Sequence, residues 1–250
     1  MYFFLLLKPY LFIEMKKYIP NFITSLNIVC GCIGIGMAFK GDLVISAVMI
    51  GVSAIFDFLD GMAARLLNIK SEFGKELDSL ADVISFGLLP GLIMYCLLNI
   101  VFEEAESWMP YIPFIAFLIP IFSALRLAKY NIDTKQTDNF IGMPTPANAI
   151  FIASIPLILV YHGAQVPFVG SIFGNPGFLV ALIFLLSFLM VSSIPLFSLK
   201  FDELSWKKNK MQYILIFSSI VLLVSLSFLA IPIIFFLYIL LSVIHNSQKK

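Results

Sequence analysis

Long apolar stretches fill this 250-residue chain and restrict it to folds that place them in a membrane. The composition is 60% hydrophobic and only 12% charged. About 20 apolar helical residues cross a bilayer core, and eight stretches approach that length: 21–39, 43–66, 80–102, 111–130, 147–164, 174–193, 211–228 and 230–246. A β-barrel would show alternating strands of about ten residues instead. The sequence therefore predicts an all-α, polytopic helical bundle of about eight transmembrane helices.

Basic residues concentrate on one side of this predicted bundle. Counting alternate connections, that side holds Lys16, Lys17, Arg65, Lys70, Lys75, Arg126, Lys129, Lys135, Lys200, Lys207, Lys208, Lys210, Lys249 and Lys250. The opposite side holds Lys40 and the acidic connection that begins at Glu103. Cytoplasmic loops carry the excess of Lys and Arg. We therefore expect a multi-pass protein of the cell membrane with both termini in the cytoplasm.

The chain divides into three predicted regions: an N-terminal interfacial segment over 1–18, a six-helix core over 19–200, and two C-terminal transmembrane helices over 201–250. The first region fits a signal peptide poorly, because Lys8 and Pro9 interrupt its apolar run and no small-residue cleavage site follows. A segment lying in the membrane interface, or translation starting at Met15, explains it equally well.

Four aspartates lie within the second and third predicted spans. Asp57 and Asp60 share one helical face, and Asp78 and Asp82, spaced by four, share another. The connection over 66–73 is short enough to make the two helices antiparallel neighbours. Each carboxylate in a membrane helix costs about 2.5–3.5 kcal/mol on insertion scales. Four carboxylates are thus predicted to converge at one end of the helix pair.

Carboxylates this close repel one another unless cations lie between them. Oxygen ligands without a neighbouring His or Cys favour Mg²⁺ or Mn²⁺, with Ca²⁺ as a competitor. The alternative is a set of ordinary helix-end acids, which would have to pair with the fewer nearby bases Arg65, Lys70 and Lys75. The pattern favours a pair of divalent cations.

Small residues accompany the acids. Gly61, Ala64 and Gly74 clear bulk from the same helical faces, which would let a phosphorylated ligand approach the backbone, although close helix packing in membranes also favours small residues. Arg65 beside them is suited to bidentate contact with a phosphate. These residues are our candidate nucleotide and phosphate contacts.

The complete motif, Asp57-x2-Asp60-Gly61-x2-Ala64-Arg65-x8-Gly74-x3-Asp78-x3-Asp82, resembles the signature of the CDP-alcohol phosphatidyltransferases. That resemblance implies that an alcohol attacks the phosphate of a CDP-linked lipid and CMP leaves. It implies that Asp57, Asp60 and Asp78 bind the metals, that Asp82 joins the metal site and acts as general base, that residues 19–200 form the catalytic core, and that the protein is a homodimer.

Elimination agrees with a carboxylate as the general base. The two histidines, His162 and His245, lie on the far side and near the C-terminus, so neither is expected to reach the acids. Paired metals stabilise the attacking and leaving oxygens in this kind of transfer.

Three further stretches resemble the serine-using branch of the family: 19–27 at the first span, 126–131 after the fourth, and 140–146 before the fifth. The resemblance implies transfer of the phosphatidyl group from CDP-diacylglycerol to L-serine, giving phosphatidylserine and CMP. Serine carries a carboxylate that needs a cationic partner. The candidate serine contacts are Arg126, Lys129 and Asn131, and Thr24 and Asn27 are predicted to face the nucleotide or to bond neighbouring helices.

Two other functions stay open at this point. One is the same chemistry with glycerol 3-phosphate or inositol phosphate as the acceptor. The other is a membrane transporter, because acids within spans also mark ion pathways. Transporters commonly carry two related halves, whereas the intramembrane acids here lie in a single helix hairpin.

Overall fold

The computed structural model describes residues 2–69, 71–104, 110–132, 139–197 and 209–247, with side chains described from Lys16 onward apart from Lys17, Glu104, Asn139 and Phe140. Within these ranges the elements in chain order are α1 (Tyr2–Phe39), α2 (Leu43–Leu66), α3 (Glu72–Asp82), a π-helical segment (Val83–Leu88), α4 (Leu89–Glu104), a 3₁₀ segment (Ile112–Phe117), α5 (Leu118–Ile132), β1 (Asn139–Ile141), α6 (Thr145–His162), α7 (Pro167–Phe173), α8 (Pro176–Val191), β2 (Pro195–Phe197), α9 (Lys210–Leu226), a 3₁₀ turn (Ser227–Leu229) and α10 (Ala230–Ser247).

Side-chain caps set the starts of the helices that carry the acids. Asp42 precedes α2 and accepts a hydrogen bond from the Ile45 amide at 2.9 Å. Ser71 precedes α3 and accepts one from the Gly74 amide at 3.2 Å. Such caps satisfy amides that have no partner within the helix. The predicted helix end before residue 67 and the predicted cap at Ser71 are confirmed, and Lys70 between them lies outside the described residues.

The π-helical segment joins α3 and α4 into one continuous helical stretch and packs against α1. The Ser85 hydroxyl donates to the Asn27 carbonyl at 3.1 Å, and the Ser53 hydroxyl of α2 donates to the same carbonyl at 3.4 Å. A methyl group on Gly31 would lie 2.5 Å from the Ser85 oxygen, so the two backbones are in close contact. Short π segments recur at functional sites, and this one directly follows Asp82.

The apolar core surrounds α6, which packs against α2, α4 and α10. Ile152, Ile155 and Ile158 of α6 are fully buried, as are Ile50 of α2 and Ile93 of α4. The outward faces of the helices carry many large exposed apolar side chains, including Phe58, Phe188 and Phe217. Such faces suit a lipid environment, because exposed apolar patches of this extent are rare on soluble monomers.

Two short strands, which the sequence did not predict, pair antiparallel near the basic end of the bundle. Ile141 of β1 is opposite Pro195 of β2, and Asn139 is opposite Phe197. The last helices form a hairpin over this ribbon, since Leu215 of α9 and Leu241 of α10 pack together with Phe197. The C-terminal helices therefore pack against strand β2, which lies in the chain between them and the six-helix core.

The all-α, multi-pass architecture is confirmed, and six or seven candidate stretches compare with the eight predicted spans. Among the described residues, six helical stretches are long and apolar enough to cross a membrane: Tyr18–Phe39, Leu43–Leu66, Glu72–Glu103, Ile112–Ile132, Thr145–His162 and Lys210–Ser247. A seventh arises if α7 and α8, bent by 65°, form one span. Lys210–Ser247 is counted here as one stretch, although it contains both α9 and α10, which the 3₁₀ turn Ser227–Leu229 separates and which pack against each other.

The N-terminal segment is helical rather than separate from the first span. Residues from Tyr2 continue into α1 without a break, and the stretch with the length and hydropathy of a membrane span begins at Tyr18. The interfacial position of residues 1–18 stays a prediction. The division at residues 200 and 201, with most of the basic run over 200–210, lies outside the described residues.

The turn that leads from β1 into α6 depends on Gly142. This residue has φ +77°, and a methyl group on it would overlap the Met190 carbonyl oxygen. Gly41 has φ +80°, but no described atom lies within 4 Å of a methyl placed there.

We expect Gly41→Ala to cost about 1–2 kcal/mol of unfolding free energy for the left-handed conformation. Gly142→Ala should cost roughly 1–3 kcal/mol more through overpacking. Unfolding of the purified variants in detergent measures both, and equal losses would contradict the crowded position of Gly142.

Candidate functional site

Three of the four predicted aspartates form a compact cluster at the ends of α2 and α3. One carboxylate oxygen each from Asp57, Asp60 and Asp78 lies within 4.8 Å of the other two. Asp60 is buried, and Asp57 and Asp78 are half-buried. Two unit negative charges about 4 Å apart repel by about 4 kcal/mol at the effective dielectric of a protein surface. This separation suits ligands around a shared cation.

Asp82 lies one helical turn deeper than Asp78 and belongs to the same acidic group. It is buried and interacts electrostatically with Asp57, Asp60 and Asp78, and its side chain is within hydrogen-bonding reach of Asp57. The Arg126 guanidinium of α5 also interacts with it electrostatically. Asp82 thus interacts both with the three-aspartate cluster and with Arg126, a buried cation in the described part of the chain.

The donor set fits a hard divalent cation. Within the described residues, no hydrogen bond reaches the buried Oδ2 of Asp60, Oδ1 of Asp78 or Oδ1 of Asp82. A buried carboxylate oxygen that has neither a hydrogen-bond partner nor a cation destabilises the folded protein, because it has lost its contacts with water and gained none in exchange. Carboxylate oxygens are the ligands of Mg²⁺, Mn²⁺ and Ca²⁺. The oxygens left without partners are the ones that a bound cation would satisfy.

A cavity of about 600 Å³ opens beside this cluster, with walls from α1, α2 and α3. Its volume is in the range of small-molecule and cofactor sites. The lining residues are Pro20, Asn21, Thr24, Asp60, Gly61, Ala64, Ile69, Ser71, Glu72, Gly74, Lys75 and Asp78. Two of the clustered aspartates are therefore part of the wall, so a molecule in the cavity can reach the clustered carboxylates.

Most of the predicted nucleotide contacts lie in this wall, and two do not. Thr24, Gly61, Ala64 and Gly74 line the cavity. Arg65 is exposed and is not among the lining residues. Asn27 is fully buried deeper along α1, where its carbonyl accepts the hydroxyls of Ser53 and Ser85. Its side-chain amide has no hydrogen-bond partner among the described residues.

The structure adds four polar wall residues to the predicted ones: Asn21, Ser71, Glu72 and Lys75. Asn21 of α1 faces α3, and its Oδ1 is 3.1 Å from the position of a methyl group on Gly74. Ser71 and Lys75 complete the rim. Asn21 could have been found from its spacing, because it stands three residues before Thr24 on the same face of α1. Lys75 could have been found in the same way, because it stands three residues before Asp78 on the same face of α3.

The predicted serine contacts occupy the end of α5 and differ in their surroundings. Arg126 is buried, lies 5.9 Å from the Tyr130 ring centroid, and has no hydrogen bond to its Nε within the described residues. Lys129 is exposed. Asn131 is bound to α3, because its amide donates to the Ser79 hydroxyl at 2.8 Å and its carbonyl accepts from Lys75 Nζ at 3.0 Å. Of the three residues, Arg126 has the burial and the position for an acceptor site.

Comparison with known proteins agrees with this geometry. The sequence profile of the CDP-alcohol phosphatidyltransferase family matches residues 17–199. A CDP-diacylglycerol–serine O-phosphatidyltransferase of Helicobacter pylori is 34% identical over 243 residues, covering 92% of this chain and 96% of the relative. An enzyme of the same name from Bacillus subtilis is 37% identical over 52% of this chain and 70% of its own length. Another from Methanocaldococcus jannaschii is 38% identical over 54% of this chain and 58% of its own length.

Metal binding by the three-aspartate cluster has a direct test. We expect the purified protein to bind Mn²⁺ and Asp78→Asn to weaken that binding by at least about tenfold, because removing ligand charge lowers the affinity of such sites. Titration followed by electron paramagnetic resonance of free Mn²⁺ measures it. Glu76→Gln is the matched control, since Glu76 is an exposed acid two residues away on α3. Equal affinity in Asp78→Asn and Glu76→Gln would contradict the site.

Proposed function

The chain belongs to the CDP-alcohol phosphatidyltransferase family, and on this basis we propose that it transfers the phosphatidyl group of CDP-diacylglycerol to L-serine, giving phosphatidylserine and CMP. The observation that carries the proposal is the acidic cluster Asp57, Asp60 and Asp78 in the wall of a nucleotide-sized cavity. The names of the relatives support serine as the acceptor.

The cavity suits the nucleotide half of the lipid substrate. Gly61, Ala64 and Gly74 leave its wall without bulky side chains, so phosphates can come close to the helices and to the acids. Thr24 and Asn21 offer hydrogen-bonding groups from α1. Lys75 at the rim adds a positive charge that suits a phosphate.

The reaction needs one bond to form and one to break. The serine hydroxyl oxygen bonds to the phosphorus that carries diacylglycerol, the bond from that phosphorus to the bridging oxygen of CMP breaks, and CMP leaves with the electron pair. Asp82 accepts the hydroxyl proton on its carboxylate, because it is the acid nearest the Arg126 side of the cluster. Two divalent cations, Mg²⁺ or Mn²⁺, would be held by the four aspartates and would stabilise negative charge on the phosphate oxygens.

Arg126 is proposed to bind the serine carboxylate. A buried guanidinium with an unused Nε–H in the described structure has bidentate hydrogen-bonding capacity to offer. Its electrostatic interaction with Asp82 supports the proposal, because a serine bound by Arg126 would then be close to the proposed base. Lys129 and Asn131 lie at the same end of α5 as Arg126. Lys129 contributes a positive charge and Asn131 a structural contact, and neither encloses the substrate.

Release of CMP is the decisive assay. Purified protein in detergent micelles is expected to release CMP from CDP-diacylglycerol with serine, to do so far less with glycerol 3-phosphate or inositol phosphate, and to stop when a chelator removes divalent cations. Asp82→Asn should lower kcat by at least about 10²-fold, the usual range for a lost general base.

The outcomes separate the alternatives. Turnover of another alcohol but not serine would keep the reaction class and refute the acceptor. No CMP release with any alcohol would refute the family chemistry for this chain and favour transport, which needs a sealed compartment. Full activity of Asp82→Asn would refute its role as base.

The proposal also covers the orientation of the protein in the membrane and its oligomeric state. The helix ends that carry Arg65, Arg126, Lys129 and Lys210 are the basic ones, and the positive-inside rule supports a cytoplasmic position for them. We expect Lys129→Cys, in a background without the native cysteines, to resist an impermeant maleimide in intact cells and to react after lysis. Labelling in intact cells would contradict this orientation.

We further propose a homodimer, and light scattering in detergent that gives one 28.0 kDa protomer would refute it.

A further inference from the structure

Helix α10 makes two side-chain hydrogen bonds to the backbone of β2. The Tyr238 hydroxyl donates to the Phe197 carbonyl at 2.9 Å, and Asn246 Nδ2 donates to the Pro195 carbonyl at 2.6 Å. The Tyr238 ring also packs edge-on against Phe197, with 5.2 Å between ring centroids. Both ends of this three-residue strand are therefore fixed to α10.

Strand β2 in turn holds β1 and the turn that follows it. A two-stranded ribbon of this length is not stable by itself in water and needs packing against another element. Beyond the strands, the Gly142 amide donates to the Ile194 carbonyl at 3.0 Å, and the Met143 amide donates to the Leu189 carbonyl at 3.0 Å. The crowding around Gly142 leaves this turn no free space. A shift of β2 would thus move residues 141–143.

One of those residues, Ile141, lies beside Arg126. Ile141 at the end of β1 lines a small gap of about 20 Å³ together with Arg126, Lys129, Tyr130 and the end of α8. The gap is too small for serine and has room for about one water molecule. Its walls therefore limit the space beside the side chain of Arg126. Met190, in the same wall, is itself held by Ser123 and Asn148, each 3.4 Å from its sulfur.

We propose that Tyr238 and Asn246 are positioning residues for the acceptor side of the site, acting through β2, β1 and the Gly142 turn on Arg126. The inference rests on the proposed function, because it assumes that Arg126 binds the acceptor. It gives the C-terminal hairpin a role in affinity for the alcohol. The cavity beside the aspartates is built from α1, α2 and α3 and does not depend on this path.

The test variant removes both hydrogen bonds and keeps the apolar packing: Tyr238→Phe combined with Asn246→Leu. We expect KM for serine to rise about five- to tenfold, as for the loss of one or two hydrogen bonds, with kcat and KM for CDP-diacylglycerol within about twofold of wild type. Tyr161→Phe is the matched control, because Tyr161 stacks on Phe228 at the opposite end of the hairpin. Arg126→Ala supplies the upper limit for the loss of serine affinity.

A second measurement does not depend on turnover. Hydrogen exchange at the Gly142 and Met143 amides should become faster in the double variant, while peptides over 57–82 keep the wild-type rate and thermal unfolding confirms a folded protein. Unchanged exchange at these amides would overturn the inference, and so would faster exchange without a change in KM for serine. If wild type uses a different alcohol, the proposed acceptor is wrong, and the same KM comparison with that alcohol still decides the positioning role.

Discussion

Repulsion among buried carboxylates is the constraint on which the rest of the structure depends. Asp57, Asp60 and Asp78 bring oxygens within 4.8 Å of one another at helix ends in an apolar bundle, and Asp82 lies directly behind them. Like charges at this distance stay ionised only where a cation or a water-filled opening compensates them. The architecture provides an opening as the cavity between α1, α2 and α3, and it leaves carboxylate oxygens free for a metal.

The two sides of the cluster are built differently, and this division suits a two-substrate reaction. Toward the cavity, small residues and helix ends leave room for a nucleotide. Toward α5, Arg126 is buried and closely surrounded. The π-helical segment begins one residue after Asp82 and is tied to α1 through Ser85 and the Asn27 carbonyl. That contact holds Asp82 at a constant depth between the two sides.

Several features of the site could be predicted because they depend on short spacings along one helix. Asp57 and Asp60, or Gly74 and Asp78, share a face wherever the helix packs, so their grouping follows from the helical repeat. Ser71 as a cap is local for the same reason. The engagement of Asn131 with Ser79 and Lys75 was not predictable, since it joins residues more than fifty positions apart. The strands Asn139–Ile141 and Pro195–Phe197 were missed because three-residue strands carry too little periodicity to detect.

By itself, the sequence determined the membrane-spanning class, the helical acid motif and the family chemistry that the motif indicates. These depend on apolar length and on residue spacing within single helices, which are local properties. Only the tertiary structure decided which of the candidate residues line the cavity, that Arg65 is exposed while Arg126 is buried, and that a β-ribbon connects the C-terminal hairpin to the surroundings of Arg126. Those outcomes depend on the packing of elements distant in the chain, and a linear pattern carries no measure of the distances between them.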